Sequence, residues 1–154
     1  MRREGIQLGR KLRIIFYSVF GLLFVTGAVW WGIEMTGAPP DEFAVLQHWL
    51  LKGHGGAAMG SLFILGILYP LHIARGWRAR RNRSTGGILV GVSILLIVTG
   101  YLLYYSGDDT TRTVASRLHT WIGLALPALV CGHILWGRRW RKAQKPSLAT
   151  NRLE

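Results

Sequence analysis

Five histidines are the residues of this 154-residue chain whose type and spacing are suited to chemistry. His54, His72, His119 and His133 fall inside two long uncharged runs, and His48 lies just ahead of the first run. Imidazole is a common metal ligand and titrates near neutral pH. An ionisable side chain inside an apolar span is costly, so it is a functional candidate by default. His54 and His72 are 18 residues apart, which at 100° per residue is five whole helical turns; His119 and His133 are 14 apart, about 40° short of four turns. Each run therefore carries both of its histidines on one face. The two separations correspond to roughly 27 Å and roughly 21 Å along a helix axis.

The elements that must position these residues are membrane spans. Residues 14–33, 54–74, 85–107 and 118–137 contain no Asp, Glu, Lys or Arg. Each is about as long as one helical crossing of the hydrocarbon requires. The fold expected over residues 1–154 is an all-α, transmembrane four-helix bundle in a single domain. Its helices lie at about 14–35, 54–74, 85–107 and 118–137. Short connections at 76–84 and 108–117 favour antiparallel neighbours, hence up-down-up-down topology with the second and fourth helices on one diagonal. The segment FAVLQHWLLKG (43–53) has Phe43, Leu46, Trp49 and Leu50 at helical spacing. It fits either an interfacial amphipathic helix or a longer start to the second span, broken at Gly53.

Composition fits the same class. Half of the chain is hydrophobic, yet the formal net charge is +12. Basic charge of this size raises the question of nucleic acid, but its distribution answers it. All but three of the 19 basic residues lie in the N-terminal flank, the loop between the second and third spans, or the C-terminal tail. The exceptions are Lys52, Arg112 and Arg117, which share the two opposite loops with Glu34, Asp41, Glu42, Asp108 and Asp109. Lys and Arg mark cytoplasmic flanks, so both termini are expected in the cytoplasm of a bacterial inner membrane, with the other two loops in the periplasm. The seven tryptophans lie near span ends, as aromatic belts do. The first apolar run is too long for a signal-peptide core and is read as a retained helix. One cysteine, Cys131, allows neither an internal disulfide nor a cysteine metal cluster, and no C-x-x-C-H attaches a haem covalently.

Topology assigns depths to the histidines. The second and fourth spans both run inward, so His54 and His119 share the outer level and His72 and His133 the inner one. Two imidazoles meeting across a bundle core at one depth can supply both axial ligands of an iron porphyrin, and bundle cores commonly house cofactors. A bis-histidine haem b carries electrons, since neither axial position is open. The mismatch between the two separations must be absorbed by tilt or by unequal ligand height. Helix 1 carries Gly21, Gly27 and Gly32. Helix 3 carries Gly86, Gly87, Gly91 and Gly100, with Gly86 and Gly100 repeating the 14-residue spacing of the fourth span. These glycines fit clearance for a flat cofactor or ordinary small-residue packing. Lys52, Arg112 and above all Arg117 are candidates to neutralise propionates at the outer level, and Arg75, Arg78 and Arg138 at the inner. His48 is either a proton acceptor at the outer surface or a plain interfacial residue. Cys131 lies about 200° from His133 around the helix and is expected to be inert packing.

With two histidines on each of two helices, carried by HGGAAMGSLFILGILYPLH (54–72) and HTWIGLALPALVCGH (119–133), and the Gly86/Gly100 pair, residues 14–140 resemble the dihaem b-type cytochromes of the bacterial cytochrome b561 type. They also resemble the four-helix core of the cytochrome b of quinol-oxidising complexes. This chain has no histidine in helix 1 and an 18-residue spacing in helix 2, where those relatives often have a helix-1 ligand or a spacing of 14. The resemblance implies two non-covalent haem b groups on His54/His119 and His72/His133. It also implies electron transfer across the membrane between quinone or quinol and a partner redox protein, such as a c-type cytochrome or a reductase subunit. Two other readings are a stand-alone superoxide-oxidising cytochrome, drawing its anion to Lys52, Arg112 and Arg117, and a haem-free metal or proton carrier.

Overall fold

A computed structural model describes residues 9–39, 41–80 and 82–143, with side chains described as far as Arg139. The chain is all-α. Its helices are α1 (Arg10–Thr36), α2 (Ala44–Leu68), a π turn (Tyr69–Ile73), α3 (Ala74–Arg78), α4 (Arg83–Tyr105) and α5 (Asp109–Ala143). Four helical stretches are long and apolar enough to cross a membrane: α1, α2 with its continuation to Arg78, α4, and α5 as far as Arg139. This is a multi-pass membrane bundle. The basic residues Arg2, Arg3, Arg81, Lys145 and Arg152 lie outside the described residues.

The helices extend beyond the uncharged runs, because charged and polar residues continue them past the hydrocarbon. α2 begins at Ala44 and passes Gly53 without a break, so the 43–53 segment is the start of the second span. The ends have local causes. Gly37 closes α1 at φ 65°, a left-handed conformation that favours glycine, and its N–H reaches Glu34 O at 3.4 Å. Asp108 opens α5: its carbonyl accepts the Arg112 N–H at 3.0 Å and its carboxylate the Thr111 N–H at 2.7 Å. Asn82 precedes α4 at φ 52°, which an Asn tolerates better than most residues.

α1 packs along α2, α4 along α5, and α1 also meets α5. The Trp31 and Trp121 rings, 6.0 Å apart, join α1 to α5. The Tyr104 hydroxyl presses on Gly55 and joins α4 to α2, for a Cβ on that glycine would come within 2.8 Å of it. The order around the bundle is therefore α2, α1, α5, α4. This puts α2 and α5 on one diagonal and α1 and α4 on the other. One end carries the α1–α2 and α4–α5 connections (the loop end). The other carries α3 and the start of α1 (the terminus end).

Few side chains are fully buried, as expected of a thin bundle whose outer surface is apolar. Buried Ala57, Ser61, Ile64 and Leu68 continue from His54 at intervals of three and four, one inward stripe on α2. Leu68 holds the stripe position 14 residues after His54. Beyond it the helix widens into the π turn, with the Ala74 N–H bonded to Tyr69 O. Pro70 explains the change: its nitrogen has no hydrogen for the i−4 carbonyl, and its ring crowds that position. A π turn holds more residues per turn than an α-helix, so His72 advances less along the axis. That shortens the 18-residue spacing toward the 14 of α5.

A candidate metal centre at each end of the bundle

The four membrane histidines meet in two pairs across the α2–α5 diagonal. At the loop end, the His54 and His119 ring centroids are 6.1 Å apart with planes at 74°. At the terminus end, His72 and His133 are 6.3 Å apart at 77°. The pairing by depth expected from spacing and topology is thus the pairing found. A metal–imidazole bond of ~2.0 Å plus about 1.1 Å from nitrogen to ring centre puts two trans imidazoles about 6.2 Å apart, centroid to centroid. Both pairs have the separation that two axial ligands of one metal ion require.

Neighbouring hydroxyls decide which nitrogen of each ring is available. Thr26 Oγ1 on α1 lies 3.0 Å from His54 Nδ1 and 2.7 Å from Leu22 O. Its single hydrogen goes to that carbonyl, so its oxygen accepts from Nδ1–H. The arrangement repeats on α4, where Thr99 Oγ1 lies 3.0 Å from His119 Nδ1 and donates to Leu95 O at 2.8 Å. At His133, Thr85 Oγ1 lies 2.9 Å from Nδ1 and donates to Asn82 Oδ1 at 2.7 Å. The Asn82 amide nitrogen lies 3.3 Å from the His133 carbonyl oxygen and 3.2 Å from its Nδ1, where it can only donate. In His54 and His119 Nδ1 carries the proton, which leaves the Nε2 lone pair for a ligand bond; at His133 the Thr85 oxygen is placed to take that proton when Nε2 is given to a ligand. His72 differs: its Nδ1 is buried and has no hydrogen-bond partner among the described residues.

Glycines complete the seats. A Cβ on Gly27 would lie 3.2 Å from His54 Cε1, one on Gly100 3.4 Å from His119 Cε1, and one on Gly86 3.6 Å from His133 Cε1. Gly86 and Gly100, singled out by their spacing, thus lie against the histidine rings. Thr26, Thr85, Thr99 and Asn82 are not evident from histidine spacing. A usable signal was nevertheless present, since a threonine immediately precedes each of these three glycines.

The remaining candidates do not converge on the pairs. Arg117 is exposed, two residues and so about 200° around α5 from His119. Arg112 is committed elsewhere: it donates to Leu103 O at 2.8 Å and caps the C-terminal end of α4. Lys52 lies over the Trp49 ring at 4.9 Å. His48 is exposed beside Trp49, and Cys131 is exposed. Among the described residues no group of three or more His, Cys, Asp or Glu could hold a metal ion. Each centre therefore offers two imidazoles and, among the described residues, no further protein ligand of these types. Comparison with protein families, with curated proteins and with solved structures gives no match.

Proposed function

We propose that this chain is a dihaem b-type cytochrome that carries electrons across a bacterial inner membrane, between quinone or quinol and a partner redox protein. The observation that carries this reading is the pair of histidine separations, 6.1 and 6.3 Å, each close to the roughly 6.2 Å of two trans imidazoles on one metal. A bare transition ion held by protein usually takes four or more donors, and two facing imidazoles leave it under-coordinated. A porphyrin brings four nitrogens of its own and needs only the two the protein offers. That count favours haem over a haem-free metal carrier. His54 with His119, and His72 with His133, would each hold one haem, which would supply one-electron chemistry. The chain's own part is to hold four ligands in two facing pairs. Thr26, Thr99 and Thr85 fix Nδ1–H so that Nε2 is free, and Gly27, Gly100 and Gly86 let the rings approach α1 and α4. Both termini lie in the cytoplasm in this reading, so His54/His119 is the periplasmic centre and His72/His133 the cytoplasmic one.

The test is a visible spectrum of the purified chain with haem-to-protein stoichiometry. Two haems per chain are expected, with b-type bands on reduction. His119→Ala should remove the loop-end haem and His133→Ala the terminus-end haem. Absence of the bands, or two haems retained in His119→Ala, would refute the reading.

A further inference from the structure

We propose that Thr26–Gly27, Thr99–Gly100 and Thr85–Gly86 are positioning pairs that set the proton and the aim of His54, His119 and His133, and that His72, which has no such pair, leaves the two centres unequal, biasing an electron toward the terminus end. The proposal rests on the reading of the centres as haem sites, but its first test does not.

Each pair grips one imidazole at two adjacent atoms. The threonine hydroxyl takes Nδ1–H, and the next residue, lacking a side chain, admits Cε1. Thr99 and Thr26 are only 3 % and 7 % exposed, so water competes little for these bonds. The loop end has a two-part construction: Thr26–Gly27 of α1 seats His54 of α2, and Thr99–Gly100 of α4 seats His119 of α5. Fourteen residues before Thr99, α4 supplies Thr85 for His133; fourteen residues before Thr26, α1 supplies Leu12, which has no hydroxyl. His72 sits in the π turn with Nδ1 buried and, among the described residues, unpartnered. The loop-end centre thus has two hydrogen-bonded ligands and the terminus-end centre one. A hydrogen bond from Nδ1–H makes the imidazole a stronger donor, which stabilises the oxidised iron. The loop-end centre is then the one with the lower potential.

Ring N–H signals of the full-length chain, labelled with ¹⁵N-histidine, provide the first test. Slowly exchanging Nδ1–H signals are expected for His54, His119 and His133 and a fast-exchanging one for His72. Thr99→Val, close in volume but without the hydroxyl, should speed exchange at His119 alone, and Thr99→Ser should restore it. The unchanged His133 signal reports that the variant is folded. A redox titration is the second test. Thr99→Val should shift one of two waves, the more negative, to more positive potential, and Thr85→Val the other. An unmoved His119 signal in Thr99→Val overturns the seating. A shift in the more positive wave instead overturns the bias. Intact ring signals in a chain without haem would overturn the haem reading and leave the seating standing.

Discussion

At the residue scale, each centre is a contest between a ring and the backbone facing it. The three seating glycines do not have equal room, and the order of their distances is a prediction. An alanine Cβ at residue 27 would meet His54 Cε1 at 3.2 Å, closer than most real contacts, and the ring has little freedom to give because Thr26 holds the adjacent Nδ1. Gly27→Ala should cost roughly 1–3 kcal/mol, the range for overpacking a well-filled site, and should lower cofactor occupancy at the loop end. Gly86→Ala, at an ordinary 3.6 Å, should be close to neutral. Haem stoichiometry of the two variants checks the order. The ring planes give a second prediction. At 74° and 77° the paired imidazoles are nearly perpendicular. With the proposed haem bound, imidazoles so oriented would act almost equally on the two iron orbitals they mix with. On that reading, low-spin ferric spectra with one strongly displaced low-field feature are expected in electron paramagnetic resonance, and a compact rhombic spectrum would contradict this geometry.

At the element scale, helix ends and one irregular turn fix the levels at which the histidines meet. Asp108 starts α5 and so sets where His119 falls. The Thr111 hydroxyl and N–H hold the Asp108 carboxyl below the usual carboxylate range. Because the folded value is depressed, this contribution is fully present above the ordinary carboxylate value and is lost as pH falls through the lowered one. Protection of the Thr111 amide, its exchange rate taken against that of an unstructured peptide at the same pH, should therefore fall on acidification below about pH 4. Asp108→Asn should remove the pH dependence while keeping an acceptor in place, and Asp108→Ala should expose the Thr111 amide at every pH. At the other end, the π turn at Tyr69–Ile73 carries His72 to within reach of His133. It takes up part of the difference between the longer spacing on α2 and the shorter one on α5.

At the scale of the whole molecule, two hairpins, α1–α2 and α4–α5, face each other and each contributes one histidine to each pair. Charge is sorted along the bundle axis. Among the described residues, the terminus end holds most of the basic residues, and the loop end holds Lys52, Arg112 and Arg117 with Glu34, Asp41, Glu42, Asp108 and Asp109. Sorting of this kind orients a multi-pass chain with its basic end in the cytoplasm. Reporter fusions at both termini should read cytoplasmic. A cysteine introduced at Ser106, in a chain with Cys131 replaced by Ser, should be labelled by a membrane-impermeant reagent from the periplasmic side. Labelling only after the membrane is permeabilised would reverse the assigned topology, and with it the sides given to the two centres.

Sequence alone determined the four apolar helices, the diagonal placement of α2 and α5, and the matching of His54 with His119 and of His72 with His133. These were legible because hydrocarbon thickness sets helix length, helical periodicity sets the face, and short connections force antiparallel neighbours. Glycine spacing also pointed to residues 86 and 100. Tertiary structure alone decided how close the rings come, that Thr26, Thr99 and Thr85 stand against the histidine Nδ1 atoms, that Arg112 caps α4, and that His72 Nδ1 has no partner among the described residues. The threonine contacts join residues 20 to 48 positions apart, and the ring at His72 depends on a π turn that helical periodicity cannot anticipate. A threonine hydroxyl in a helix can bond its own carbonyl wherever it stands, so only the position of the neighbouring helix showed which threonines also take a histidine proton.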